Sequence, residues 1–327
     1  MRLRLVPENT NYDFFRFRNI TFGASIVAVV LSLILWATVG LNFGIDFRGG
    51  TSIRTQAELT IDDGEYRRAV EALELGEVSV TQVIDPTFAD DQNVALIRIE
   101  AQQGEESATG NLVAQVETAL KEIDPSIEFT SVESVGPKVS GELITTALLA
   151  VFAALAAILI YIWLRFEWQF SIGAVAALFH DVIITIGIFS LLQIRFDLAT
   201  IAAILTIVGY SINDTVVIFD RLRENLRKFK TTPLQEVMNR TVNETLSRTL
   251  MTSGTTLIAL IALLIFGGDV IRGFVFAITW GVIIGTYSSV YVAKNVVLFL
   301  GVKRDWSKPN GGAGGGGAGT QFANIDA

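Results

Sequence analysis

Six long apolar runs set the frame for this chain, because a run of about 18 or more apolar residues is the length that crosses a hydrocarbon core. A backbone in lipid has to satisfy its own polar groups, and in a single run it does so as a helix. The sequence predicts spans over residues 20–40, 143–164, 170–192, 198–219, 248–268 and 274–298. The first two carry no formal charge, the third contains His180 and Asp181, the fourth contains Asp214, and the fifth opens on Arg248. Run 20–40 is too long for the apolar core of a secretion signal, and no clear A-x-A cleavage site follows it. It is expected to remain as an anchor.

The net charge of −8 conceals a segregation. Segment 1–19 carries Arg2, Arg4, Arg16 and Arg18, and segment 220–247 carries Arg221, Arg223, Arg227, Lys228, Lys230 and Arg240. The tail, 299–327, carries Lys303, Arg304 and Lys308. Basic flanks face the cytoplasm, and six spans place these three segments on one side. Segment 41–140, rich in Asp62, Asp63, Glu65, Glu71, Glu105 and Glu106, falls on the other side. The expectation is a multi-pass membrane protein with both termini cytoplasmic and 41–140 on the opposite side. The absence of cysteine excludes disulfides and thiolate chemistry. A single histidine excludes a multi-histidine metal site, so no metal and no catalytic centre is expected. There is no G-x-x-x-x-G-K-[ST] phosphate loop either. The glycine-rich stretch after Pro309 reads as a flexible linker without a site.

Residues 41–140 read as the one soluble domain. Strands are expected at 51–56, 78–84, 94–100 and 127–132, and helices at 64–75 and 109–123. Tyr66, Ala69, Val70 and Leu73 share one face of the first helix, and Leu112, Val113, Val116 and Leu120 one face of the second. The order β-α-β-β-α-β is the ferredoxin-like, split βαβ pattern. Its acidic surface argues against nucleic acid, and it shows no catalytic cluster, which fits an interaction or gating domain. The fold class is therefore a six-span α-helical bundle with one ferredoxin-like α+β domain between spans one and two.

Chemistry concentrates in the fourth span, in Gly-Tyr-Ser-Ile-Asn-Asp-Thr-Val-Val. A carboxylate near the centre of a membrane helix costs about 2.5–3.5 kcal/mol on insertion scales. Burial favours its neutral form and a neighbouring cation its charged form. Such a group can exchange a proton as its surroundings change, which is what a proton relay needs. Asn213 and Thr215 beside Asp214, with Tyr210 and Ser211 a turn earlier, make the site polar over a full turn. The alternative is a hydrogen-bonded strut between helices. Arg248 is the candidate counter-charge, against the alternative of an arginine extending to water from a helix end. His180 and Asp181 form a second polar site, flanked by a stripe of Gly173, Ala177 and Gly187 that marks close helix packing. Gly281 and Gly285 form a G-x-x-x-G pair in the sixth span. Paired membrane aspartates also occur in intramembrane proteolysis, but Asp214 lies a turn or more nearer the cytoplasm than Asp181, and the Gly-x-Gly-Asp signature is missing.

The chain resembles the SecD/SecF family of bacterial protein-export subunits, on its SecF side, a relative of the RND transporters. The resemblance rests on Leu-Asn-Phe-Gly-Ile-Asp-Phe-Arg-Gly-Gly at 41–50, Leu-Phe-His-Asp at 178–181, the fourth-span stretch 209–225 and Ser-Arg-Thr-Leu-Met-Thr-Ser at 247–253. It implies a bacterial inner membrane, with 41–140 periplasmic, and an RND-like bundle completed by SecD into twelve spans. It implies a role in drawing secreted polypeptide out of the SecYEG channel with the proton gradient, protons being the coupling ion and no cofactor being needed. It further implies YajC and YidC as neighbours, and a proton relay through Asp214 and Arg248. Two other readings are an RND-type small-solute antiporter half and a purely structural membrane scaffold.

Overall fold

The computed structural model describes residues 10–83, 88, 92–100 and 109–302; the glycine-rich tail lies outside them. Six helices are long and apolar enough to cross a membrane. They are built on α1 (Arg18–Thr38), α5 (Pro137–Arg165), α6 (Trp168–Leu192), α7 (Leu198–Lys228), α8 (Leu234–Phe266) and α9 (Gly268–Ser288). A π-helical turn, Ser289–Ala293, joins α9 to α10 (Lys294–Leu300) as one continuous span. Between α1 and α5 lie β1 (Asn42–Phe43), α2 (Ile45–Arg48), β2 (Gly50–Ala57), α3 (Asp63–Glu71), β3 (Val78–Val83), β4 (Asn93–Ile99), α4 (Thr109–Ile123) and β5 (Glu128–Val135). The short β6 (Arg195–Phe196) links α6 to α7.

The α+β domain is ferredoxin-like. Strand order is β3-β4-β2-β5 with every neighbouring pair antiparallel, so β4 returns between the two strands that α3 connects. Tyr66 and Val70 of α3 and Val116 and Leu120 of α4 bury against Ile53, Ile97 and Ile99 of the sheet. Helix α3 starts one residue earlier than the periodicity predicts, because Asp62 caps it through Gly64 N–H and Glu65 N–H. It stops at Glu71, ahead of the predicted 75, because the chain turns through Glu74 at φ +53° and Gly76 at φ +131°. The helix-free face of the sheet looks onto the bundle across a cleft of about 710 Å³ that includes Arg54, Arg98, Glu133 and Arg195.

Helices α6, α7 and α9 with α10 form the centre of the bundle, each burying roughly half of its apolar stretch; α1, α5 and α8 are peripheral. Glycines set the closest approaches. A Cβ on Gly187 would run into the side chain of Ser32 and come within 2.8 Å of its Cα, and one on Gly173 would lie 2.7 Å from Val297 and 2.9 Å from the Ala293 carbonyl. The stripe on α6 therefore serves two neighbours, α1 at one level and the α9–α10 span at another. Gly281 and Gly285 bring α9 onto Ile207 and Ser211 of α7.

Segment 220–247, expected as a basic loop, is mostly helix. Helix α7 continues to Lys228 and α8 already starts at Leu234, leaving only residues 229–233 as a turn. The charged side chains that ended the apolar runs are paired along and across this hairpin. Arg221 bonds Glu224 at 2.5 Å and Glu244 at 2.7 Å, Arg240 bonds Glu244 at 3.1 Å, and Asn225 donates to Thr241 at 3.0 Å. Hydropathy marks where a helix leaves the apolar layer, and the helix itself runs on. As a result Arg248 lies fourteen residues inside α8 rather than at its start.

Candidate functional site

Helix α7 carries two polar stripes, and they face different neighbours. Side chains three or four residues apart share a helix face, so Ser211 and Thr215 form one stripe and Tyr210 and Asp214 the other. The first stripe turns toward α6 and α9. Ser211 Oγ donates to Asp181 Oδ2 at 2.6 Å, and Thr215 Oγ1 pairs with Ser289 Oγ at 2.8 Å. Asp181 is fully buried and its carboxylate is well supplied. Ser288 Oγ donates to Oδ2 at 2.8 Å, and Oδ1 lies 2.9 Å from His180 Nδ1. The His180 ring stacks on Tyr287 at 6.0 Å, and the Tyr287 hydroxyl bonds Ser25 Oγ and the Thr21 carbonyl on α1. This polar layer ties four helices together between two apolar clusters, one around Phe170, Phe219 and Ala293 and one around Phe189, Phe196 and Ala203. The π turn sits beside Ser288 and opens on Ser289. Such turns are rare in helices and frequently sit at functional sites.

The second stripe is built differently. Asp214 is buried, yet among the described residues no hydrogen-bond partner reaches its Oδ2. The groups that act on its charge are Arg248 and Ser253, both on α8. The Ser253 hydroxyl is itself paired with Thr286 Oγ1 at 2.7 Å and receives Tyr210 OH at 3.5 Å. Asp214 lies fourteen residues before the end of α7 and Arg248 fourteen after the start of α8. In an antiparallel hairpin both are then about 21 Å from the connecting turn. They share a depth without forming a direct ion pair. Arg248 is exposed and lines a cavity of about 700 Å³ that also contains Arg165, Asp220, Arg223, Glu224 and Glu244. Asn213 is exposed and joins neither stripe.

The structure thus brings together Asp214 with Tyr210, and Asp181 with His180, as two adjoining sites. Sequence reasoning passed over Tyr287, Ser288 and Ser289, whose only signal was the hydroxyl run Thr-Tyr-Ser-Ser at 286–289 inside an apolar span. It also passed over Lys294, read simply as part of the sixth span. Lys294 is buried, with its ammonium 4.2 Å from the Phe15 ring and 5.1 Å from those of Phe14 and Tyr291. This cation–π cage is closed by the N-terminal segment, which bonds α8 through Tyr12 N–H to Asn243 and Phe14 N–H to Asn239.

Two family models match the chain: protein export membrane protein SecD/SecF, C-terminal, over residues 115–303, and the SecD/SecF GG motif over residues 34–58. The protein translocase subunit SecF of Cereibacter sphaeroides is 64% identical over 326 residues, covering 100% of this chain and 99% of the relative. That of Rhodothermus marinus is 42% identical, covering 90% and 94%. The crystal structure of SecDF, a translocon-associated membrane protein from Thermus thermophilus, superposes with a TM-score of 0.77 at 35% identity, over 90% of this chain and 39% of that one. A super-membrane-facing form of SecDF superposes with a TM-score of 0.66 at 36% identity, again over 39% of the solved chain.

Proposed function

The chain belongs to the SecF branch of the SecD/SecF family of protein-export membrane proteins, and from that premise we propose that Asp214, facing Arg248, is the proton relay by which this subunit helps drive polypeptide export. The observation that carries the reading is a buried carboxylate whose Oδ2 has no bonded partner, at the depth of an arginine it does not touch. A buried acceptor left unbonded is costly, and protonation lowers that cost. When the carboxyl gives up its proton, attraction to Arg248 rises and draws α7 and α8 toward one another. Protonation releases them.

Each cycle thus converts proton transfer into relative motion of the two helices. One charge moved through 100 mV is worth about 2.3 kcal/mol, enough to shift a two-state equilibrium by a factor of roughly 50. The work is carried by proton movement, without bond chemistry or a cofactor. The chain sits in the bacterial inner membrane with both termini cytoplasmic and the α+β domain periplasmic. SecD completes the bundle, and SecYEG hands over the emerging preprotein, with YajC and YidC alongside.

The test is export by the assembled complex in proteoliposomes under an imposed gradient. Asp214→Asn removes the gradient-dependent part of export and leaves the remainder, and Arg248→Ala does the same. A gradient response of native size in assembled Asp214→Asn complexes would refute the relay.

A further inference from the structure

The segment that joins α1 to the α+β domain is docked onto the start of the helix that carries Asp214. The first backbone N–H groups of a helix have no partner within it. In α7 one is capped by Asp197, which accepts from Thr200 N–H at 2.9 Å. Another, Leu198 N–H, is taken by Asp46 Oδ2 at 3.0 Å, from 152 residues away. The dock continues on either side of this bond. Asn42 and Phe43 pair in parallel with Arg195 and Phe196, Gly44 N–H donates to the Phe196 carbonyl at 2.8 Å, and Asn42 Nδ2 donates to the Gln193 carbonyl at 2.9 Å. A side chain on Gly44 would place its Cβ 3.1 Å from Arg195 Nε and 3.3 Å from Asp197 Cβ, so glycine permits the approach.

Four residues after Asp46 the chain is already in β2, the strand that pairs with both β4 and β5. Gly49 and Gly50 make that turn at φ +75° and +120°, angles that favour glycine. From Leu198 to Asp214 α7 is unbroken, sixteen residues or about 24 Å of helix. A continuous helix carries an axial shift at one end to the other, and helix shifts in switching proteins are about 1–2 Å. The path from carboxylate to sheet is therefore one helix, a dock in which Asp46 makes the side-chain bond to the helix's own first turn beside the 42–44 pairings, and four residues of chain.

We propose that Asp46 is the positioning residue that couples movement of α7 to the α+β domain, so that segment 41–50 transmits the work of the Asp214 site to that domain. This rests on the relay reading. The experiment measures proton flux and export side by side in proteoliposomes of the complex with its partner subunit. Asp46→Ala keeps Asp214-dependent proton flux and loses export about five- to tenfold, the factor that one lost capping bond corresponds to. Asp46→Asn, which retains an acceptor for Leu198 N–H, exports at the native rate. Native export by Asp46→Ala, or equal export loss in the Ala and Asn variants, overturns the proposal. So does a parallel loss of flux and export in Asp46→Ala, because that places Asp46 in general architecture. If flux in the native complex proves independent of Asp214, the relay fails, while the split in export between Asp46→Ala and Asp46→Asn still decides the role of Asp46.

Discussion

Removing the Asp181 carboxylate should cost the bundle far more stability than neutralising Asp214. Asp181 accepts from Ser211 and Ser288 and pairs with His180, all within 2.9 Å, in a fully buried layer. A buried group left without its hydrogen-bond partner costs about 1–3 kcal/mol, and the effects of contacting groups are not additive. Ser288 has a fallback acceptor in the Gly285 carbonyl at 3.1 Å, which trims the loss. Asp181→Ala leaves Ser211 and His180 short of a partner and is then expected to cost about 2–5 kcal/mol. At about 2–4 °C per kcal/mol for a chain segment of this size, the unfolding midpoint falls by roughly 10 °C. Asp214→Asn replaces a side chain whose Oδ2 has no hydrogen-bond partner among the described residues and places an amide beside Tyr210 and Ser253, so its midpoint stays within roughly 3 °C of native. The assay is the heating midpoint of the detergent-purified protein, read as loss of the monodisperse chromatographic peak. Equal midpoints for Asp181→Ala and native protein, or an Asp214→Asn loss as large as that of Asp181→Ala, would refute the division between a supporting and a working aspartate.

Three further outcomes follow from local geometry. Gly187→Ala forces α1 away from α6 through Ser32 and lowers the heating midpoint, at a cost of about 1–3 kcal/mol; an unchanged midpoint would contradict the packing described. In the α+β domain, the Ser126 hydroxyl and N–H bonds hold the Asp124 carboxyl below its ordinary range. A lowered folded-state value stabilises above the unfolded pKa of about 3.9 and is lost as pH falls through the folded value. Protease resistance of the domain should drop on acidification below about pH 4, and Asp124→Asn should flatten that dependence. Tyr66 is pushed up to about 12 by burial first and then by Asp124 and Glu65. Its contribution is full below the unfolded value of about 10 and fades toward the folded one. Tyr66→Phe should remove the alkaline loss of protease resistance between those limits.

How much of this was legible beforehand depended on the physical scale of each signal. Six spans and a split βαβ domain are written in long-period hydropathy and in Tyr66, Val70, Val116 and Leu120 at helical spacing. The helical extensions beyond 219 and before 248 were hidden because hydropathy reports where lipid ends, while Arg221, Glu224, Arg240 and Glu244 support one another on a helix hairpin in water. Asp214 was visible from its cost alone. Its separation from Arg248 was not, because reach depends on rotamers that sequence leaves open. Asp181 read as half of a second polar site with His180, and its bonds to the hydroxyls of Ser211 and Ser288 were not legible. Those partners come from helices 30 and 107 residues away, and no local pattern announces them. The 41–50 segment carried a family signature, and its docking on Leu198, 152 residues from Asp46, was not legible in the sequence.

The most direct test of the central claim is proton flux into proteoliposomes of the assembled complex, comparing Asp214→Asn with Asp181→Asn in the same preparation. The account predicts that flux disappears in Asp214→Asn and persists in Asp181→Asn, which keeps an acceptor for the serine hydroxyls. Persistent flux in Asp214→Asn, with Asp181→Asn inactive, would place the proton path through the other aspartate and contradict the account.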